Sequence, residues 1–339
     1  MTAAVLAALF ACLPARASGP YPNTSFFGVP YSTDEDWYRQ CMRVEHLPPA
    51  PAAGKVPANC DPIGLYDRKR SQATTSQAEW DQVRACADAR GDDAVLMMLY
   101  ANAYGVPRDR DRAIHHACRL DFVAKAEMEG RIAHLVQGNA PGKAFDLCDD
   151  ITSGAMGARC TERREAQDSR VREARLDRAA RSLPAPSRAA FAKLRQAAGR
   201  YATEAGYSET DANGTAAADF AYRRQARLRE QAMQAMLDTI AGKLPPSTPA
   251  EYAARDRELN QVYDELMAIP SKQTDWPDRI GDSTIQHADV RKGERLWLAY
   301  RDAFVAFSAT LPSGANADAI GSLLTAQRIA ELRHVVRYR

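Results

Sequence analysis

The chain has 339 residues, of which 45% are hydrophobic and 26% charged, and its formal net charge is +2. Charges of both signs in near balance give no single-sign field, so nothing points to nucleic acid or to an acidic membrane surface, and no nucleic-acid partner is expected. The length allows two domains, and no window supplies the roughly 18 uncharged apolar residues that a membrane helix needs, so no integral membrane segment is expected.

At the start, an apolar run from Ala3 to Ala11 ends at Ala15-Arg16-Ala17, a small-x-small pattern before Ser18. This reads as a secretory signal over residues 1–17 without its basic n-region, and it predicts a periplasmic or secreted protein. Leu9-Phe10-Ala11-Cys12 departs from a lipoprotein box at Phe10, so cleavage after Ala17 is the expectation rather than lipidation at Cys12.

Beyond the signal, Cys41, Cys60, Cys86, Cys118, Cys148 and Cys160 form an even set confined to the first half. In an oxidising compartment such a set is a disulfide framework, and sequence cannot choose its connectivity. Pairing in chain order, Cys41 with Cys60, Cys86 with Cys118 and Cys148 with Cys160, is the simplest expectation because each bond closes a modest loop. His115-His116-x-Cys118 offers possible metal ligands on one helical turn, but no CxxC or second ligand cluster accompanies it. Neither a metal nor a cofactor is expected.

Residues 18–160 read as a disulfide-stapled region of short helices. The stretch Leu47 to Gly54 is too rich in proline and alanine to hold a helix and orders only if Cys41 and Cys60 pin it. Ser76-Gln77-Ala78-Glu79 is a capping box that opens the regular structure. The run from Asp93 to Ile114, with Leu99, Tyr100, Gly105-Val106, Asp109 and Ala113, resembles a SEL-type repeat, the short relative of the tetratricopeptide repeat. The resemblance implies helix, tight turn, helix, and departs where the family prefers glycine at Ala103. One copy cannot bury its own faces, so it must pack on flanking helices such as Ala124 to Leu135. A Cys86–Cys118 bond would supply part of that support.

From residue 161 to 339 long charged helices predict a bundle. Thr161 to Ser182, Ala189 to Tyr207 and Thr215 to Leu244 are separated by Leu183-Pro184-Ala185-Pro186-Ser187 and by the turn-rich Ser208 to Gly214. Thr248-Pro249-Ala250-Glu251 is a second capping box with proline at the first helical position. Tyr252, Arg255, Leu259, Val262, Leu266 and Ile269 then recur at alternating three and four. So do Val290, Gly293, Trp297, Tyr300, Phe304, Phe307 and Leu311, and a third helix spans Ala317 to Val336. Three such stripes bury one another as a bundle, giving an all-α fold overall.

Across residues 249–337 the motif Asp256-x-x-Leu259-Asn260-x-x-Tyr263-x-x-Leu266, then Glu294-Arg295-x-Trp297-Leu298-x-Tyr300-Arg301-Asp302-Ala303, then Leu324-Thr325-x-x-Arg328-x-x-Glu331-Leu332 resembles the LprI-like lysozyme-inhibitor domain. The resemblance implies a small exported helical domain with a protein partner of the lysozyme-type muramidase kind. The family usually has Gln at Glu294, and cysteines near Val305 and Ile320, so here a packing contact is expected in place of a disulfide. A weaker internal echo lays Leu194 and Tyr201 on Val290 and Trp297, which would make residues 161–339 two related hairpins.

Asn260, Glu294, Tyr300, Arg301, Asp302 and Arg328 are the candidate binding residues. Arg301-Asp302, Arg328 and Asn260 are expected to meet at the bundle edge, where a satisfied network fixing helix register competes with a binding role. Trp297, Tyr300 and Phe304 are expected in the core. Asp149-Asp150 and the Glu162, Glu165 pair read as solvated charge, and there is no nucleophile elbow or phosphate-binding glycine loop, so no enzyme is expected. The functional expectation is an envelope binding protein of the lysozyme-inhibitor kind, presenting Ser208 to Gly214 or Thr310 to Asn316. The alternative is a periplasmic scaffold that uses the SEL-like repeat.

Overall fold

Ser76 and Glu79 close their cap as the sequence predicts, the Glu79 carboxylate accepting from the Ser76 amide at 2.8 Å. Thr248 and Glu251 do the same at the second box. In the computed structural model, which describes residues 20–51, 54–140, 142–311 and 316–337, the chain is all-α. Twelve helices and two isolated β-bridges make up its regular structure among the described residues. The expected signal, with Ala15, Ala17 and Cys12, lies outside them. No described helix is long and apolar enough to cross a membrane.

Two compact units divide between Asp150 and Ile151. The first holds α1 (Asp36–Arg43), α2 (Pro62–Arg70), α3 (Gln77–Arg90), α4 (Asp93–Asn102), α5 (Arg110–Ala117) and α6 (Lys125–Gln137). α4 is buried continuously from Ala94 to Tyr100 because it is apolar on every side, and α5 covers it. α6 packs on α5, which is the flanking support that the α4–α5 hairpin requires.

All six cysteines after the signal are disulfide-bonded, in three bonds, but two of the expected pairs, Cys41 with Cys60 and Cys86 with Cys118, do not form. Cys41 joins Cys118, and Cys60 joins Cys86. The reason is which faces meet: α1 packs against α5 and α2 against α3, so the nearest thiols lie across helix pairs rather than along the chain. Cys118 is thereby unavailable to a metal. His115 and His116, both half-buried, direct their Nδ1 atoms to the Val44 carbonyl and to Asp93.

The turn after α4 keeps a left-handed conformation despite its alanine, with φ +59° at Ala103 and +69° at Gly105. Gly105 is obligatory twice over, since a Cβ there would also collide with Trp80.

The second unit comprises α7 (Gly154–Arg181), α8 (Ala185–Ser208), α9 (Ala217–Ile240), α10 (Pro249–Met267), α11 (His287–Ser308) and α12 (Ala317–Val336). α7 starts before the expected boundary and runs through residue 161. α8 packs along α11; α7 and α9 pair on one side, α10 and α12 on the other. The α11 stripe from Val290 to Leu311 is buried throughout, including Trp297, Tyr300 and Phe304. On α10, Leu259, Val262 and Leu266 are buried, as is Ile269 just beyond it, while Arg255 is exposed. Val305 and Ile320 both join the apolar cluster, so packing stands where the family has cysteines.

A Cβ in the left-handed region costs about 1 kcal/mol, so Ala103→Gly is expected to stabilise the protein by up to about 1 kcal/mol in urea unfolding. A destabilised variant would show that the alanine methyl packs favourably enough to outweigh the backbone cost.

Candidate functional site

The centre of the second unit is a charge network that begins at the C-terminal end of α8. Glu209 is fully buried there, and Arg328 of α12, also fully buried, donates to both its carboxylate oxygens at 2.8 and 2.9 Å. This bidentate geometry is the strongest that a carboxylate and a guanidinium can form. Arg328 also donates to Glu294 of α11 at 2.9 Å and to the Tyr201 hydroxyl at 3.3 Å. Arg224 of α9 reaches the Glu209 carboxylate at 2.8 Å and its backbone carbonyl. Glu331, 2% exposed, lies 3.0 Å from the Arg224 Nε and takes Arg227 at 2.5 Å.

Three carboxylates and three guanidiniums therefore balance. Burial alone pushes the Glu209 carboxyl upward, but the adjacent Arg328 and Arg224 charges outweigh it and hold it below the usual carboxylate range. Burial also pushes the Tyr201 hydroxyl up to about 12 and that of Tyr300 higher still. The two rings stack at 6.0 Å, and the Tyr300 hydroxyl has no hydrogen-bond partner among the described residues. Gly293 belongs to this site: a Cβ at that position would strike the Glu209 carboxylate.

The expected cluster at the bundle edge thus divides. Arg328 and Glu294 turn inward to Glu209. Arg301 stays at the surface, over the Trp297 ring at 5.3 Å, bonded to the exposed Asp302 at 3.2 Å and 3.9 Å from Asp256. Asn260, one turn beyond Asp256 on α10, is exposed. Sequence reading missed Glu209, Arg224 and Arg227, and it placed Glu165 in solvent. Glu165 is in fact buried, held by Arg172 and by Arg229 at 3.1 Å, because α7 and α9 enclose it. Glu162 is exposed as expected.

Ser208 to Gly214 is not a free loop. Its Glu209 is interior, and Asp211 accepts from the amide and hydroxyl of Thr284, both at 3.0 Å. The flanks of the other candidate are also tied, Ser187 donating to the Thr310 carbonyl and Asn316 to that of Ser247; residues 312–315 lie outside the described set.

A third loop was not anticipated. Nineteen residues, Ala268 to Gln286, join α10 to α11, where helix connections usually take about two to eight. Ile280 and Ile285 bury its inner side, and the Lys272 and Gly281 amides pair with Gly281 and Pro270 carbonyls. His287 lies within hydrogen-bond distance of the Asp278 and Ile269 carbonyls, stitching both arms together. The visible signal was the non-periodic run Pro270, Trp276-Pro277 and Gly281.

This loop and the Glu294, Arg328 and Glu331 part of the charge network lie within one recognisable stretch, whereas Tyr201, Glu209, Arg224 and Arg227 precede it. Residues 247–332 match the family model of lysozyme inhibitor LprI. The LprI region is about a quarter of the chain and includes α10, the loop, α11 and most of α12. No match was found among curated proteins or among solved structures. The match supports a lysozyme-inhibitor-like function in general, with a protein as partner, and LprI is an inhibitor family rather than an enzyme family. The disulfides point to an oxidising compartment, as does the extracellular or periplasmic setting of LprI proteins. The SEL-type reading of the first unit rests on the helix–turn–helix geometry of α4 and α5 alone.

Removing one partner of a buried pair strands the other charge, so Arg328→Met is expected to destabilise the protein by about 3–5 kcal/mol in urea unfolding. A change below about 1 kcal/mol would remove the network's structural role. Because the folded Glu209 carboxyl titrates below its unfolded value near 4.3, its stabilisation is present above that pH and is lost as pH falls through the folded value. The urea midpoint should therefore drop below about pH 4, and less so in Glu209→Gln, which lacks the titrating group.

Proposed function

We propose that this protein is exported to the cell envelope and inhibits a lysozyme-type muramidase through its LprI region. The observation that supports this reading is the family match over residues 247–332, which falls on an ordered bundle with a large pre-formed loop. A glycosidase works with two carboxylates flanking the scissile bond, so steric occlusion of that cleft stops it without any chemistry by the inhibitor. Such a task asks for a rigid body that presents a projecting element. A bundle fixed by the Glu209–Arg328 pair, with its α10–α11 connection held by internal hydrogen bonds, meets that requirement.

A second reading, a periplasmic scaffold, is favoured by one feature of the first unit. A groove of about 590 Å³ lies between α1 and α6, floored by Trp37, Ile132, Ala133 and Val136 and rimmed by Glu35, Asp36 and Glu129. Its size and apolar floor suit a docked peptide side.

The readings separate in a cell-wall lysis assay. The purified full chain at micromolar excess is expected to slow lysis by a muramidase at least severalfold. An unchanged rate across a panel of muramidases would remove the inhibitor reading and leave the scaffold.

A further inference from the structure

The chain has four tryptophans, and three are placed as a helical protein places them: Trp37 and Trp297 are buried, and Trp80 is half-buried. Trp276 is 53% exposed at the tip of the α10–α11 loop. An aromatic side chain of this size, left in water on a rigid support, is the residue type that most often dominates a protein interface.

The support is rigid by construction. Arg279 lies over the Trp276 ring at 4.4 Å, and its guanidinium donates to Gln273 at 2.6 Å. The amides of Trp276 and Arg279 bond to the Gln273 and Trp276 carbonyls, so the tip is a pair of tight turns. Thr284 ties the loop to Asp211, and Ile280 and Ile285 anchor it in the core. Little conformational entropy is left to lose on binding.

The electrostatics give the sign of the partner. The loop itself, residues 268–286, carries three carboxylates against Lys272 and Arg279, a net of −1, and α10 before it carries five against two, a net of −3, in a chain of net +2. The loop leaves from the C-terminal end of α10, where the helix dipole is negative. Lys272 is paired with Asp282 at 2.9 Å, and Arg279 is occupied against the Trp276 ring. Asp275 is exposed and has no ion-pair partner among the described residues, whereas Asp278, half exposed, already lies 3.7 Å from Arg291 and from His287. The tip thus offers an aromatic ring beside one unpaired carboxylate, Asp275, with the partly paired Asp278 on its other side.

We propose that the α10–α11 loop is the docking element and that it takes a basic protein, with Trp276 as apolar anchor and Asp275 and Asp278 facing Lys or Arg of the partner. This rests on the muramidase reading above and deepens it. An acidic tip is repelled by the two carboxylates inside a glycosidase cleft, so it grips basic surface at the cleft rim and the bundle occludes the cleft sterically. The ring face can also accept a partner cation, as it already accepts Arg279. The acidic excess of α10 and the unpaired Asp275 beside the ring supply an attraction that the near-neutral whole chain lacks.

The test uses the full chain, a strongly basic muramidase and an acidic one, with binding kinetics and lysis read separately. Wild type is expected to bind the basic enzyme and not the acidic one. Trp276→Ala should weaken binding about 10- to 30-fold, mainly through faster dissociation. Asp275→Lys should slow association about threefold or more at low salt, with the difference shrinking at high salt. Both positions are exposed, and unchanged thermal melts would exclude misfolding. If wild type inhibits and both variants inhibit equally well, the loop proposal is overturned while the inhibitor reading stands. If wild type binds through Trp276 without slowing lysis, the docking surface stands and the inhibitor reading falls. If wild type neither binds nor inhibits either enzyme, both fall.

Discussion

A carboxylate taken fully out of water costs several kcal/mol unless the protein returns its solvation, and Glu209 is in that position in the second unit. Its neighbours are set by this requirement. Arg328 must come from α12 and Arg224 from α9, and both then need counter-charges of their own, which Glu294 and Glu331 supply. α11 must pass close enough to deliver Glu294, which only a glycine at position 293 allows. A pair of this kind contributes little net stability but tolerates few alternatives, so it selects one register for four helices. Two residues further on, Asp211 fixes Thr284, so the same turn that buries Glu209 also positions the α10–α11 loop.

The two units meet the cost of order differently. In the first, helices of eight to fourteen residues cannot stand on their own cooperativity, and disulfides join α1 to the end of α5 and the start of α2 to α3. In the second, helices of 19 to 28 residues bury long apolar stripes. There Val305 and Ile320 can replace cysteines without loss of the fold, because the contact is one among many.

The same division holds within residues 247–332, which match the LprI model. Tyr300 and Arg328, conspicuous in the motif, are interior and shape the bundle; Arg301 and Asp302 are at its surface beside Asp256. Trp276, held against Arg279, is a large side chain that the bundle leaves outside. A motif read as a binding site is in good part a set of bundle-packing positions.

By itself the sequence determined what depends on neighbours within a turn or two. Capping boxes at Ser76 and Thr248, the α11 stripe and the span of α12 are fixed by hydrogen-bond reach and helical period, which act along the chain. Even Arg328 and Glu294 were visible as motif positions. Tertiary structure alone decided that Cys41 meets Cys118, that Glu165 is buried, and that Arg328 meets Glu209 across 119 residues of chain. Those pairings depend on which helix faces pack together, and helical period gives a face but not its partner. The α10–α11 loop shows the same limit: its proline, tryptophan and glycine marked the absence of a helix, but only its packing on Ile280 and Ile285 made it a fixed platform.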